Sequence, residues 1–181
     1  MTGTTTIRSA AILFTALFLY TGEACAHVEK GHMPDSVAEV EYKILLEFKP
    51  RDFDTRTKLA LVLIRQSKLD EAEQELQRAT AIAPGDSRIL EGFTLLKLKQ
   101  QKVSEALEYA QKAVAAAPDR GILFLHYGKA LLADGRPEEA LAMYRTGLKK
   151  VGGNADDHDR QQLDEAIKSI EAGQDMPAAN Q

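Results

Sequence analysis

Residues 69–84 read LDEAEQELQRATAIAP, and residues 103–118 read VSEALEYAQKAVAAAP. Laid on one another at an offset of 34, they match Glu71 to Glu105, Ala72 to Ala106, Ala79 to Ala113 and Pro84 to Pro118. The offset extends in both directions. Ala38 and Ala140 continue the first alanine series, Pro50 precedes the prolines, and Leu45 and Gly147 flank the second small-residue series. Lys68, Lys102 and Arg136 keep the same spacing. A fixed period of this length marks one supersecondary unit repeated along the chain. Within the unit, Ala72, Leu76 and Ala79 recur at steps of four and three, the spacing of one helix face. Leu59, Leu63 and Ile64 do the same just upstream, so each period holds two amphipathic helices. Pro84, Pro118 and the Gly152-Gly153 pair stop the second helices. Asp134-Gly135-Arg136-Pro137 is a turn that leaves proline in the first turn of the following helix, where its missing N–H costs little.

The bulk composition agrees with a packed helical protein. The chain has 181 residues, 44% of them apolar and 28% charged, which is a globular rather than a disordered balance. The net charge of −4 and pI near 5.6 argue against nucleic acid, whose binding proteins carry a basic surface.

The first 26 residues are of another kind. Thr2 to Arg8 is polar with one cation, Ala10 to Tyr20 is apolar and uncharged, and Ala24-Cys25-Ala26 supplies small residues where a leader is cut. Residues 1–26 are read as a secretory signal peptide cleaved after Ala26, which makes the mature protein periplasmic or secreted. The apolar run is shorter than the ~20 residues of a membrane-spanning helix; an uncleaved anchor is the alternative. Cleavage removes Cys25, the only cysteine, so no disulfide is expected despite an oxidising destination. A lipoprotein reading is disfavoured by Gly22 and Glu23 ahead of Cys25. Loss of Arg8 and Glu23 leaves the charge at −4.

The period, the small residues and the closing prolines resemble the tetratricopeptide repeat family. The resemblance covers residues 36–153, with full units at 53–86, 87–120 and 121–153 and the second helix of an earlier unit before them. It implies an all-α, right-handed α-solenoid of about 3.5 helix-turn-helix units. The large-then-small pair of the family's first helix reads Leu59-Ala60, Phe93-Thr94 and Tyr127-Gly128. Two departures stand out: Lys97 replaces the leucine of Leu63 and Leu131, and Ala110 replaces a large residue, so looser packing is expected in the middle unit. Leu45 is large where a small residue is usual, which suits an edge helix. Residues 154–172, with Leu163, Ile167 and Ile170 in a stripe, are read as a C-terminal capping helix. Residues 27–35 and 173–181 are read as a flexible mature N-terminus and a disordered tail.

Stacked helix pairs expose a concave face lined by the first helix of each unit. Helical phase assigns Leu61, Ile64, Arg65, Leu95, Leu98, Lys99, Leu125 and Lys129 to it, an apolar trough fringed by cations. Such a trough suits an amphipathic helix or an extended peptide. The competing reading is that Leu61, Leu95 and Leu125 are covered by neighbouring helices. The family's chaperone-tail clamp needs Lys, Asn and Arg side chains at places held here by Thr57, Leu61, Gly92, Ile122 and His126, so that role is not implied.

The function expected is a non-catalytic scaffold or assembly factor in the periplasm, binding a protein or peptide. The alternative is a copper-binding accessory protein: cleavage would leave His27 with a free amine and an imidazole, with His32 and Met33 nearby, and such donors suit copper. A loose chain end is the other reading of those residues. No phosphate loop, nucleophile elbow, HExxH or paired cysteine occurs. No catalytic residue and no resident cofactor or metal site is assigned.

Overall fold

The structure, a computed structural model, describes residues 33–151 and 157–173. The predicted leader, His27 and His32, Gly152-Gly153 and residues 174–181 lie outside them. The described residues form helices only: α1 (Asp35–Phe48), α2 (Phe53–Arg65), α3 (Leu69–Ile82), α4 (Ser87–Lys99), α5 (Val103–Ala116), α6 (Gly121–Ala133), α7 (Pro137–Lys150) and α8 (Asp157–Glu171). The pairs α2/α3, α4/α5 and α6/α7 are helical hairpins that start 34 residues apart, at Phe53, Ser87 and Gly121. Helix α1 is the second helix of an earlier unit.

Local chemistry sets the boundaries. Asp52 and Asp86, one period apart, each turn a side-chain oxygen onto the first backbone N–H groups of α2 and α4, at 2.9–3.2 Å. The third unit has Arg120 at that place, and no side chain caps α6. The turn inside each unit closes with a backbone bond from residue i to i−5, as in Lys68 to Leu63, Lys102 to Lys97 and Arg136 to Leu131. That closure needs one left-handed residue, found at Ser67, Gln101 and Gly135 with φ of 63°, 60° and 75°. Only glycine adopts it without strain.

Packing follows from where the chain is small. Ala72, Ala79, Ala106, Ala113, Ala140 and Gly147 are all buried at helix crossings. At Gly128, an added methyl would stand 2.1 Å from the Tyr144 ring. Tyr144 itself is fully buried, so the large residue of the second helix occupies the space left by the glycine. Each first helix packs on the second helix of its own unit, on the second helix before it and on the next first helix; second helices make no such backbone approach to one another, and α1 and α3 meet only through Lys43 and Glu71 at 3.8 Å. First helices thus stand closer together than second helices do, so the row curves with first helices on its inner side. Helix α8 packs against both α6 and α7, the position of a further first helix. It buries Leu163 and Ile170, with Ile167 half-buried beside them.

The middle unit is closed by different means. Lys97 is 4% exposed, and its ammonium lies 3.0 Å from Glu73 and 3.2 Å from Glu105. Burial disfavours that charge, but the two carboxylates outweigh it and hold its pKa above the ordinary lysine value. Next to Ala110, Tyr109 stacks on Phe93 with centroids 4.8 Å apart. An ion-paired stem thus stands where Leu63 and Leu131 stand in the flanking units, and a ring pair packs beside Ala110.

Candidate functional site

Six of the eight predicted groove residues line one depression. Leu61, Ile64 and Arg65 from α2 face Leu95, Leu98 and Lys99 from α4 across an open trough of about 470 Å³. They converge because residues i, i+3 and i+4 of a helix share a face, and α2 and α4 are adjacent first helices. Leu61, Leu95 and Leu98 are half-buried and Ile64 is nearly covered, so the floor is apolar.

The rim differs from expectation. Arg65 donates to the Asp35 carboxylate through Nε at 3.0 Å and Nη2 at 2.6 Å, which ties α2 to the start of α1. Its cation is already neutralised. Lys99 is exposed, and among the described residues no carboxylate pairs with it. Lys99 is therefore the trough's available charge.

Two predicted residues do not belong to the trough. Leu125 is 1% exposed and sits in the core with Leu131, Tyr144 and Leu163. Helix α6 has an almost uniformly apolar sequence, Gly-Ile-Leu-Phe-Leu, so the phase of the buried stripe cannot be read there by alternation with polar residues. Lys129 lies at a separate depression of about 420 Å³ between α6 and α8, with Leu132, Gln162 and Glu165. Burial pushes its ammonium below the ordinary lysine pKa, and among the described residues no salt bridge offsets it.

Between α4 and α6 the inner face carries a cluster of ionisable side chains. Glu91 of α4 approaches His126 of α6 at 3.2 Å, and Arg120 donates to it at 2.9 Å. Arg120 also donates to Ser87 at 3.1 Å. Burial alone would raise the Glu91 carboxyl, but His126 and Arg120 outweigh it and hold the pKa below the ordinary range. Arg120 stands where Asp52 and Asp86 act as caps, so the period marks a changed residue there but not the partners it takes.

Comparison with known proteins agrees with this architecture. The tetratricopeptide repeat model matches residues 21–87 and 95–155. The chain belongs to the tetratricopeptide repeat family. The match begins upstream of the expected array start at residue 36 and inside the expected leader. Among curated proteins no sequence matches the chain. Similar solved structures include the Sgt2 tetratricopeptide domain from Aspergillus fumigatus, at TM-score 0.57 and 18% identity over 72% of this chain and 87% of that one. They also include Pseudomonas aeruginosa PilF, at 0.58 and 19% over 91% and 69%, and MamA, at 0.53 and 14% over 76% and 87%. At these identities the likeness is one of fold. That fold is the protein-interaction scaffold of tetratricopeptide proteins, which are in general non-catalytic and bind protein partners. No helix among the described residues is long and apolar enough to cross a membrane. No group of three or more metal-binding side chains occurs among them either.

Proposed function

We propose that this tetratricopeptide protein is an exported scaffold or assembly factor that holds a partner segment in the α2/α4 trough. The observation that carries the reading is the trough itself: an open apolar floor of Leu61, Leu95 and Leu98 beside one unneutralised cation, Lys99. Each leucine covered by a partner contributes on the order of 1 to 2 kcal/mol, since part of its surface is already buried. A carboxylate meeting Lys99 would add direction, because charge-assisted bonds are geometrically selective. An amphipathic helix or an extended peptide with an apolar edge and one acidic residue fits this chemistry. The sequence of residues 1–26 supports export to the periplasm. The test is the double variant Leu95→Glu with Leu98→Glu, two partly exposed positions whose change leaves the core intact. Loss of the partner captured by wild type, with unchanged helical circular dichroism, is the expected result. Retained capture would move the binding surface elsewhere.

A further inference from the structure

The α2/α4 trough carries two cations one period apart, and among the described residues only one of them has a carboxylate. Arg65 and Lys99 are the last residues of α2 and α4, and both line the trough. As equivalent residues of the repeat they stand side by side at one end of it, and the apolar floor extends away from them. The third unit has Ala133 at this place. The two cations differ because of the residue that begins the second helix before each of them. Ahead of α2 that residue is Asp35; ahead of α4 it is Leu69, which packs against the core. Arg65 therefore meets a carboxylate where Lys99 meets a hydrocarbon.

The contact on Arg65 has the form of a ligand contact. Both oxygens of Asp35 accept from Nε, at 3.0 and 3.1 Å, and one of them also accepts from Nη2 at 2.6 Å. This is the guanidinium edge that receives a carboxylate, whatever chain the carboxylate belongs to. The contact is also weakly held. The Arg65 side chain is 50% exposed and that of Asp35 28%, and ion pairs so placed contribute little to stability. Asp35 begins α1, where the helix dipole favours a negative charge with or without the guanidinium. A carboxylate from outside can replace it at small cost, and Arg65 stays paired after the exchange.

We infer that Asp35 is an internal stand-in for part of the partner. The partner segment is an apolar stretch leading into two acidic residues, one for Lys99 and one that exchanges with Asp35 on Arg65. This rests on the trough reading above and adds to it the partner's charge pattern. The two cations stand on adjacent first helices, whose axes pack about 8–10 Å apart, so two carboxylates from neighbouring residues can span them. Asp35 also makes the trough selective. A segment with one acidic residue is served by Lys99 alone, and only a segment with a second one gains from the exchange.

The test is a chemical-shift titration of the isotope-labelled chain, as the expressing cell processes it, with amidated synthetic peptides up to about 2 mM, a range that reads millimolar affinities. In one peptide a run of leucines leads to two adjacent aspartates; in the other the second aspartate is asparagine. Wild type should bind both, the first by a small margin. Asp35→Asn should tighten the two-aspartate peptide about threefold, the scale of an exposed ion pair, and the single-aspartate peptide less. Adding Arg65→Gln should abolish that gain, with unchanged circular dichroism. Lys99→Gln should weaken both peptides. A gain equal for the two peptides, or one that persists without Arg65, overturns the inference, because net charge alone would explain it. So does an affinity unchanged by Asp35→Asn, or a two-aspartate peptide that fails to bind. Shifts that track the protein's own concentration would give the trough to a second copy and overturn it too. Leu95→Glu with Leu98→Glu should abolish binding of both peptides. Binding that survives this change contradicts the trough reading itself, whereas trough-dependent binding indifferent to Asp35 contradicts this inference alone.

Discussion

The inner face has two depressions in the same register, and they differ in chemistry. Between α2 and α4, the lining is Leu61, Ile64, Leu95 and Leu98 with Lys99 outside. Between α6 and α8, the equivalent lining is Lys129, Leu132, Gln162, Glu165 and Ala166. One period carries Leu61 to Leu95 and then to Lys129, and the last step puts an ammonium where the first trough has its floor. The shape repeats because it is set by small residues at helix crossings. The chemistry does not repeat, because the side chains that point into the depression do not hold the helices together. Binding specificity in such a stack is free to differ from one step to the next.

The largest effect that would sharpen this contrast is on partner affinity. Leu95→Glu with Leu98→Glu should weaken binding roughly a hundredfold or more, since two apolar contacts are lost and two carboxylates are set beside them. Lys129→Glu should change it by no more than about twofold, the effect expected of an uninvolved surface charge. Titration calorimetry on the captured partner reads both. Comparable losses would join the two depressions into one site.

Leu125 separates packing from binding. As a buried core residue, Leu125→Ala should lower unfolding stability by about 2–4 kcal/mol in a denaturant titration. The folded fraction should bind as wild type does. Lys97 tests the unit between the depressions. Lys97→Ala leaves Glu73 without its cation and Glu105 with only Lys102 at 3.9 Å, and should cost about 1–3 kcal/mol, less than a deeply buried pair because both carboxylates keep some solvent. Lys97→Leu, which restores the residue of the flanking units, should be neutral or stabilising in thermal melts.

The smallest expected effect concerns Lys129 itself. Folding lowers its pKa, so near the titration the unfolded chain binds more protons than the folded one. Stability then rises as pH climbs through the folded-state value toward the ordinary lysine value, and below both values the ammonium destabilises the fold. Lys129→Met should remove that slope and raise the melting temperature slightly at neutral pH. A lowered melting temperature would mean that the ammonium has a stabilising partner.

Most of the fold was legible because the period is written in residues that pack. Ala72, Ala106, Ala140 and the closing prolines mark where helices cross and stop, and each position has a steric reason to be conserved in kind along the chain. The α2/α4 trough was legible for the same reason: on α2 and α4, polar residues alternate with apolar ones and fix the helical phase. On α6 that contrast is missing, and Leu125 was placed on the wrong side. The neutralisation of Arg65 by Asp35 and the Glu91–His126–Arg120 cluster were not legible. They join side chains about 30 residues apart through tertiary placement, and no local pattern encodes such a pairing.

The central claim, that the α2/α4 trough holds the partner, is tested most directly by site-specific photo-crosslinking in cells. A photoreactive side chain would be placed in turn at Leu98 in the trough, at Gln162 in the second depression and at Glu108 on the outer face. The account predicts one strong crosslinked species from position 98, and little from 162 or 108. Crosslinking to the same partner from 108 or 162, with none from 98, would contradict it.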